Sequence, residues 1–377
     1  MKRLIYADNA ATTQLDIDAF EAMKPYLLNE YGNASQPYSF SRSPKTALRE
    51  AREIIATCIN ADPSEIFFTS GGTESDNWAI KGMLGGNHTG AIITSSIEHH
   101  AVLRACAAAE RMGSPVVYLA PTKEGVITDD VLRSVITPNT ELVSIMMSNN
   151  ELGTIQPVAT LAEIAHKNNA FFHTDAVQCV GHIPVDVMKL GVDILSASAH
   201  KFNGPKGVGF LYVKSGTPLG TFMDGGGQEG KRRAGTENIA NIVGMAYALK
   251  NNVSRLAQNM NHIVQLETRF LSKLNEQGIT YVRNGGSNIV PGVMSLSFPG
   301  FSGEAILHRL DLLGVMVSTG SACDGDETQV SHVLRAIGLE EELARGTIRL
   351  SIGKNNTAEE IDFIAASLNK ILVKKES

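Results

Sequence analysis

Lys201 is the residue whose surroundings most constrain its chemistry. It follows the apolar run Asp193-Ile194-Leu195 within Ser196-Ala197-Ser198-Ala199-His200-Lys201-Phe202-Asn203-Gly204-Pro205-Lys206-Gly207. Most lysines lay their stem on the surface and keep the ammonium in water. An amine hemmed in by Ala, Phe and a Gly-Pro turn has little room to do so, and a buried lysine is costly unless paired, deprotonated or covalently engaged.

Other strand ends offer complementary groups. Phe67-Phe68-Thr69 is followed by Ser70-Gly71-Gly72-Thr73-Glu74-Ser75-Asp76-Asn77. The glycines let backbone approach a ligand, and a helix starting near Thr73 would present N–H groups and a positive dipole end. Thr73 with Asp76 three residues on also makes a capping pattern, so phosphate binding and plain capping both fit this motif. No lysine follows the glycines, which excludes a Walker A loop. Asp175, with Gln178 close behind, stands where another strand gives out; it is a functional carboxylate or a helix cap. Asn149-Asn150 follows a third strand and reads equally as a turn. Taken together, an amine, a phosphate cradle and a carboxylate are what pyridoxal 5'-phosphate requires. The amine carries the aldehyde, the helix end holds the phosphate, and the carboxylate keeps the ring nitrogen protonated.

The elements that must position these groups alternate. Residues 65–69, 91–94, 115–119, 141–147, 170–174, 193–195 and 208–213 read as strands, the fourth so uniformly apolar that both its faces should be buried. Helical patterns cover 74–84, 101–112 and 160–168. Strands separated by such helices imply crossover units and a largely parallel sheet, with ligands at the carboxyl ends of its strands. Beyond about residue 255 a long helical pattern (255–275) leads into alternating runs such as Val293 to Phe298, which reads as a smaller α+β domain. The chain has 377 residues, which at roughly 100–200 per domain suggests about two.

Composition narrows the classes further. A hydrophobic fraction of 43% with 19% charged residues fits a folded soluble chain. Lys+Arg 33 against Asp+Glu 39 leaves −6, with no basic block, so nucleic acid is not an expected partner. No window approaches the ~18–20 apolar residues of a membrane span. An acid and an amide stand at Asp8 and Asn9, where a signal peptide needs an apolar stretch. Cys58, Cys106, Cys179 and Cys323 are too far apart for a zinc or redox pair, so no metal is expected and a reducing, cytoplasmic setting is the default.

The chain resembles the cysteine desulfurases of the NifS/IscS type, within the class V aminotransferases, from Tyr6-Ala7-Asp8-Asn9-Ala10-Ala11-Thr12-Thr13 to Ile348-Arg349-Leu350-Ser351. Ser198-Ala199-His200-Lys201 with Gly204-Pro205-Lys206-Gly207 is similar to the family's lysine segment. Ser318-Thr319-Gly320-Ser321-Ala322-Cys323, with Ser331-His332-Val333-Leu334-Arg335 after it, is similar to its cysteine loop. The resemblance implies a fold-type I pyridoxal-phosphate α/β architecture: a large domain over 14–256 with a mostly parallel seven-stranded sheet, and a small domain from 1–13 and 257–377. It implies Lys201 as the cofactor lysine, Asp175 at the ring nitrogen, Gln178 at the ring hydroxyl and His99 stacked on the ring and aiding proton transfer. His100 is then a surface neighbour. Gly72, Thr73, Ser198 and His200 would hold the phosphate, and Thr236 would reach it across a homodimer. Asn150 and Arg349 would take the carboxylate of L-cysteine, Arg349 by a bidentate pair. The implied activity yields L-alanine and a persulfide on Cys323 for a sulfur-acceptor protein of iron–sulfur assembly or tRNA thiolation. A selenocysteine lyase or cysteine β-lyase is the alternative on the same scaffold. The presence of Lys201, Asp175 and His99 together disfavours a non-catalytic platform.

Cys58, Cys106 and Cys179 read as small buried hydrophobes, Cys179 the nearest of them to the cofactor. Cys323 differs, because Ser, Thr, Gly, Ala and acids surround it and such a stretch should be exposed and mobile. Two departures from the family pattern stand out. Ala34 and Tyr38 replace the usual Pro and His, and Asp324, Asp326 and Glu327 set three acids beside the thiol. At ~6 Å in water each charge acts with about 0.7 kcal/mol, half a pKa unit, before salt reduces it. Asp324→Ser is therefore expected to raise the alkylation rate of Cys323 at neutral pH by about threefold. An unchanged rate would refute this.

Overall fold

The computed structural model describes residues 4–84, 90–319 and 330–372. In chain order its strands are β1 (Ile5–Tyr6), β2 (Ile66–Thr69), β3 (Ala91–Ser95), β4 (Val116–Leu119), β5 (Thr140–Ser144), β6 (Phe171–Asp175), β7 (Ile194–Ser198), β8 (Gly209–Val213), β9 (Val282–Asn284), β10 (Val293–Ser297), β11 (Val315–Met316) and β12 (Thr347–Ser351). Seven of them form one sheet in the order β2-β8-β7-β6-β5-β3-β4. The pairs β7–β6, β6–β5, β5–β3 and β3–β4 are parallel, while β8 runs antiparallel to both its neighbours. The stretch between β7 and β8 holds only a short 3₁₀ turn, Ala199–Lys201, and no crossover helix. A parallel return needs a dozen or more residues, usually helical, so the chain doubles back and Lys201 lies in the bend.

Neighbouring residues on these strands serve opposite cores. Ile92, Leu142, Ile194 and Leu211 pack with Trp78, Ile80, Val102 and Cys106 from helices Gly72–Met83 and His100–Arg111. Ile93, Val143, Phe172, Leu195 and Phe210 pack on the other face with Ile55, Leu161 and Met245 from helices Arg42–Ile59, Val158–Lys167 and Ile239–Ser254. The two-residue period of a strand makes this division, and helices on both faces are what a parallel sheet needs to stay dry.

A second sheet, β12-β10-β9, is antiparallel, and β1 pairs with β11 in parallel. Ile5 and Ala7 pack with Phe270, Leu296, Ile348 and Ile364 in a separate core built otherwise from residues beyond 260. Leu15, a few residues on, packs against the large core. The N-terminal segment thus crosses from one half of the molecule to the other. No helix among the described residues is long and apolar enough to cross a membrane.

β8 enters the sheet beneath the turn that starts helix Gly72–Met83. A Cβ on Gly209 would lie 2.5 Å from the Ala197 carbonyl oxygen and 2.7 Å from the Gly71 Cα. Both are backbone atoms of well-anchored elements, so neither can yield cheaply. Gly209→Ala is expected to lower stability by ~1–3 kcal/mol. A melting temperature equal to that of the unsubstituted protein would show that the turn can move after all.

Candidate active site

Lys201 is positioned by the bend between β7 and β8 and by the segment lying over it. Its Nζ donates to the carbonyls of Ala10 at 2.7 Å and Ala11 at 2.8 Å. Gln178 Nε2 donates to the same Ala10 oxygen at 3.0 Å, so two residues read separately from the sequence meet at one acceptor. The turn is fixed from behind: the His200 carbonyl accepts from the Thr13 backbone and hydroxyl, and the Lys201 carbonyl accepts from His182.

Beside this turn opens a cleft of about 330 Å³ lined by Thr12, Ser70, Gly71, Gly72, Thr73, Ser198, His200 and Lys206. Gly72, Thr73, Ser198 and His200 are brought together here. Thr12 and Lys206 join them without having been singled out. The helix begins at Gly72 rather than Thr73, with Gly71 at its N-cap, at φ +147°, and no side chain capping its first turn. The Thr73–Asp76 capping pattern is therefore not realised, and Asp76 turns inward onto the sheet. An uncapped helix N-terminus ringed by hydroxyls, an imidazole and a lysine suits a phosphate in donor chemistry and in charge. Burial first, then the Lys201 and Lys206 charges, pushes the His200 imidazole down to about 4, so it meets a ligand neutral. Glu74 in the first helical turn is already occupied by Ser70 N–H and the Arg233 guanidinium. Burial pushes its carboxyl up, but those bonds outweigh burial and hold it below the usual range.

Asp175 ends β6 with one oxygen accepting the Val177 N–H at 2.9 Å. Burial raises its carboxyl to about 6, against the opposing pull of Val177 and Lys201. His99 is the N-cap of helix His100–Arg111, its Nδ1 accepting from Ala101 N at 3.1 Å. Burial, then the charges of Lys201 and His100, lowers the ring to about 4. It is thus neutral at pH 7 with its proton on Nε2, the tautomer its own capping bond selects. His100 is half-buried rather than a surface residue, its ring 4.7 Å from that of His332.

Arg349 lies on β12 and reaches the large half, donating to the Asn150 carbonyl at 2.9 Å and to Asp8 Oδ1 at 2.7 Å. Its Nε is buried without a hydrogen-bond partner among the described residues. Asn150 thus meets Arg349 through its backbone, and the carboxylate that orients the guanidinium is Asp8. Ser318 exchanges two backbone hydrogen bonds with Arg349. Ser331 donates to Glu151 at 2.7 Å, and His332 bonds the Glu98 carbonyl at 3.0 Å. Cys323, with Asp324, Asp326 and Glu327, lies outside the described residues, between those two anchored flanks. Thr236 is exposed and does not line the cleft, although Arg233 nearby pairs with Glu74. Ala34 is buried and Tyr38 exposed. The thiols of Cys58, Cys106 and Cys179 are all pushed up by burial, the first two to about 11 and about 12.

The fold and the cleft together define an α/β enzyme whose lysine stands at the carboxyl end of a largely parallel sheet. The aminotransferase class-V family model matches residues 5–364, and the chain belongs to that family, whose members, the cysteine desulfurases included, are pyridoxal-phosphate enzymes. It is 46% identical to the cysteine desulfurase IscS of Dictyoglomus turgidum, over 99% of this chain and 96% of that one. It is 42% identical to the IscS of Methanosarcina thermophila, over 99% and 93%. Among solved structures, a NifS-like protein superposes with a TM-score of 0.92 at 38% identity, covering 98% of this chain and 99% of that one. SspA in complex with cysteine does so with 0.84 at 36%, covering 94% and 100%.

Glu98, just before His99, is fully buried, bonded by Ser95 and by Met146 N–H. Burial raises its carboxyl to about 8. The folded state therefore prefers the neutral acid, and the advantage present below the unfolded value, ~4.5, is lost as pH rises toward 8. Glu98→Gln is expected to flatten the fall in unfolding free energy between pH 5 and 8 by up to ~1.4 kcal/mol per pH unit. Parallel stability profiles for the two proteins in denaturant titrations would contradict it.

Proposed function

We propose that this chain is a cysteine desulfurase that binds pyridoxal 5'-phosphate at Lys201 and transfers the sulfur of L-cysteine to Cys323. The observation that carries this reading is the Lys201 amine, held by two backbone carbonyls beside an uncapped helix N-terminus and near the Asp175 carboxylate. When bound, pyridoxal phosphate supplies an electron sink that labilises bonds at the Cα and Cβ of an attached amino acid. Gly72, Thr73, Ser198 and His200 would hold the phosphate, Asp175 the ring-nitrogen proton and Gln178 the ring hydroxyl. His99 would lie against the ring as a neutral imidazole with a donor at Nε2. Lys201 would hold the aldehyde, and its amine is the group placed to move the substrate's Cα proton.

Asn150 and Arg349 receive the substrate carboxylate; the Arg349 Nε, without a partner among the described residues, favours this, and Asp8 anchors the guanidinium through Nη2. The Cys323 thiolate attacks the substrate sulfur: the Cβ–S bond breaks, an S–S bond forms, and Cβ takes a proton. L-cysteine and the thiol thus give L-alanine and the enzyme persulfide, with atoms and electrons balanced. We assign the persulfide to a sulfur-acceptor protein of the iron–sulfur assembly or tRNA-thiolation type. The enzyme is read as a cytoplasmic homodimer in which Thr236 reaches the phosphate of the other subunit. Its division is into a large domain at 14–256 and a small one from 1–13 and 257–377.

Borohydride reduction of the pyridoxal-phosphate-loaded protein followed by peptide mapping is expected to label Lys201, and L-cysteine to yield equal alanine and sulfur. Cys323→Ala should lower turnover of cysteine at least ~100-fold while leaving the label in place. A label absent from position 201 would overturn the cofactor assignment. Cysteine turnover that survives Cys323→Ala would overturn the sulfur transfer and favour a lyase.

A further inference from the structure

Beneath the cleft, the sheet face under helix Gly72–Met83 carries a row of buried polar groups. Thr94, Ser144, His173 and Ser196 stand on four adjacent strands, none of them exposed to solvent. The Thr94 hydroxyl donates to the Ser144 carbonyl. His173 Nδ1 lies 2.8 Å from the Ser144 hydroxyl and its Nε2 2.9 Å from that of Ser196. Asp76 descends onto this row from the helix, 1% exposed, with Oδ1 3.7 Å from His173 Nε2. That oxygen has no hydrogen-bond partner among the described residues, and the Ser196 hydroxyl lies 2.9 Å from the same His173 Nε2. Asp175 is two residues past His173 on the same strand and the same face.

Two carboxyl groups in one water-excluded space do not both ionise. The groups facing Asp76 decide which keeps the proton. From β6 come Asp175 and His173, from the turn after β3 Glu98, and from helix His100–Arg111 Cys106. Burial lowers His173 to about 3, so it brings no compensating charge. Glu98 and Cys106 are raised by burial and stay neutral. Asp175 alone has a backbone N–H and the field of Lys201 to support an anion. Burial, then the charge of Asp175, pushes the Asp76 carboxyl well above its ordinary range.

We infer that Asp76 is a positioning residue that keeps its proton at neutral pH and donates it toward Ser196, leaving Asp175 as the anion of the pair. The donated bond gives the chain through Ser196, His173 and Ser144 a single direction. It also fixes one negative charge, on the strand end that faces the ring nitrogen. The link to the ring nitrogen rests on the pyridoxal-phosphate reading; the location of the proton does not.

The experiment therefore has two arms. In the first, infrared spectra of ¹³C-aspartate-labelled protein, recorded without cofactor at neutral pH, should show a protonated-carboxyl band that Asp76→Asn removes and Asp175→Asn does not. In the second, spectroscopic titration with pyridoxal phosphate should give Asp76→Asn an affinity within about threefold of the unsubstituted protein, because the amide keeps a donor. Asp76→Ala, which has none, should lose at least tenfold. The inference is overturned if the band is missing or survives in Asp76→Asn, if Asp76→Asn binds as poorly as Asp76→Ala, or if Asp76→Ala binds normally. Should the unsubstituted protein bind no pyridoxal phosphate, the functional reading fails while the infrared arm still decides where the proton is. The same arm decides it if Asp76→Ala does not fold.

Discussion

Lys201 is held by acceptors that lie about 190 residues away in sequence, in the segment that joins the two halves of the molecule. Ile5 and Tyr6 pair with β11, Asp8 pairs with Arg349, and the Asn9 amide bonds Ser351. Ala10 and Ala11 then receive Lys201, and Thr13 ties down His200. One extended strap thus fixes the amine proposed to engage the cofactor and the guanidinium proposed to engage the substrate. Backbone carbonyls are well suited to holding the amine. They accept its hydrogen bonds without adding a full negative charge, which would bind it too firmly to leave for an aldehyde.

Burial sets the electrostatics of the rest. His99, His173 and His200 are all driven neutral by desolvation, and Glu98 is driven toward the acid form. Anionic charge persists where the structure supplies donors, as at Glu74 between Arg233 and Ser70. A parallel sheet covered on both faces is dry by construction, so each polar group beneath the cleft must be matched within the protein. The row from Thr94 to Ser196 meets that demand with hydroxyls and one imidazole, leaving net charge to the strand ends.

The architecture was legible where one physical signal dominated. All seven strands of the large sheet lie within a few residues of the apolar runs that suggest them, because covering the sheet with helices favours apolar residues along its strands. In the fourth run the strand proper ends at Ser144, but Ile145 and Met147 go on donating to the His173 and Asp175 carbonyls of β6 as buried chain. Gly72, Thr73, Ser198 and His200 meet in one cleft because each closes or follows a strand on the same edge of the sheet. Asp8 was invisible as a partner for Arg349, since a pairing across 341 residues leaves no local pattern. Of the two readings open for Thr73 and Asp76, capping fails for a different reason. A Thr with an acid three places on matches a helix cap in spacing, but the cap is Gly71, two residues earlier, so Asp76 already lies inside the helix, on the face turned to the sheet.

The distribution of these signals also separates what the family shares from what sets the reaction. Lysine, aspartate and the glycine-rich helix start are held by the sheet and would serve any chemistry on an amino acid joined to an aldehyde. In the proposed reading, selection of cysteine depends on the other half. There Arg349 and Ser318 are neighbours across a backbone pairing, and Ser331 and His332 are tied to Glu151 and Glu98. Both flanks of the segment containing Cys323 are therefore anchored at the place where the substrate carboxylate is proposed to sit. In the proposed reaction the fixed groups orient the amino acid, and the thiol comes from a stretch whose composition gives it nothing apolar to bury. That arrangement favours a sulfur acceptor inside the reaction rather than simple loss of sulfide to water.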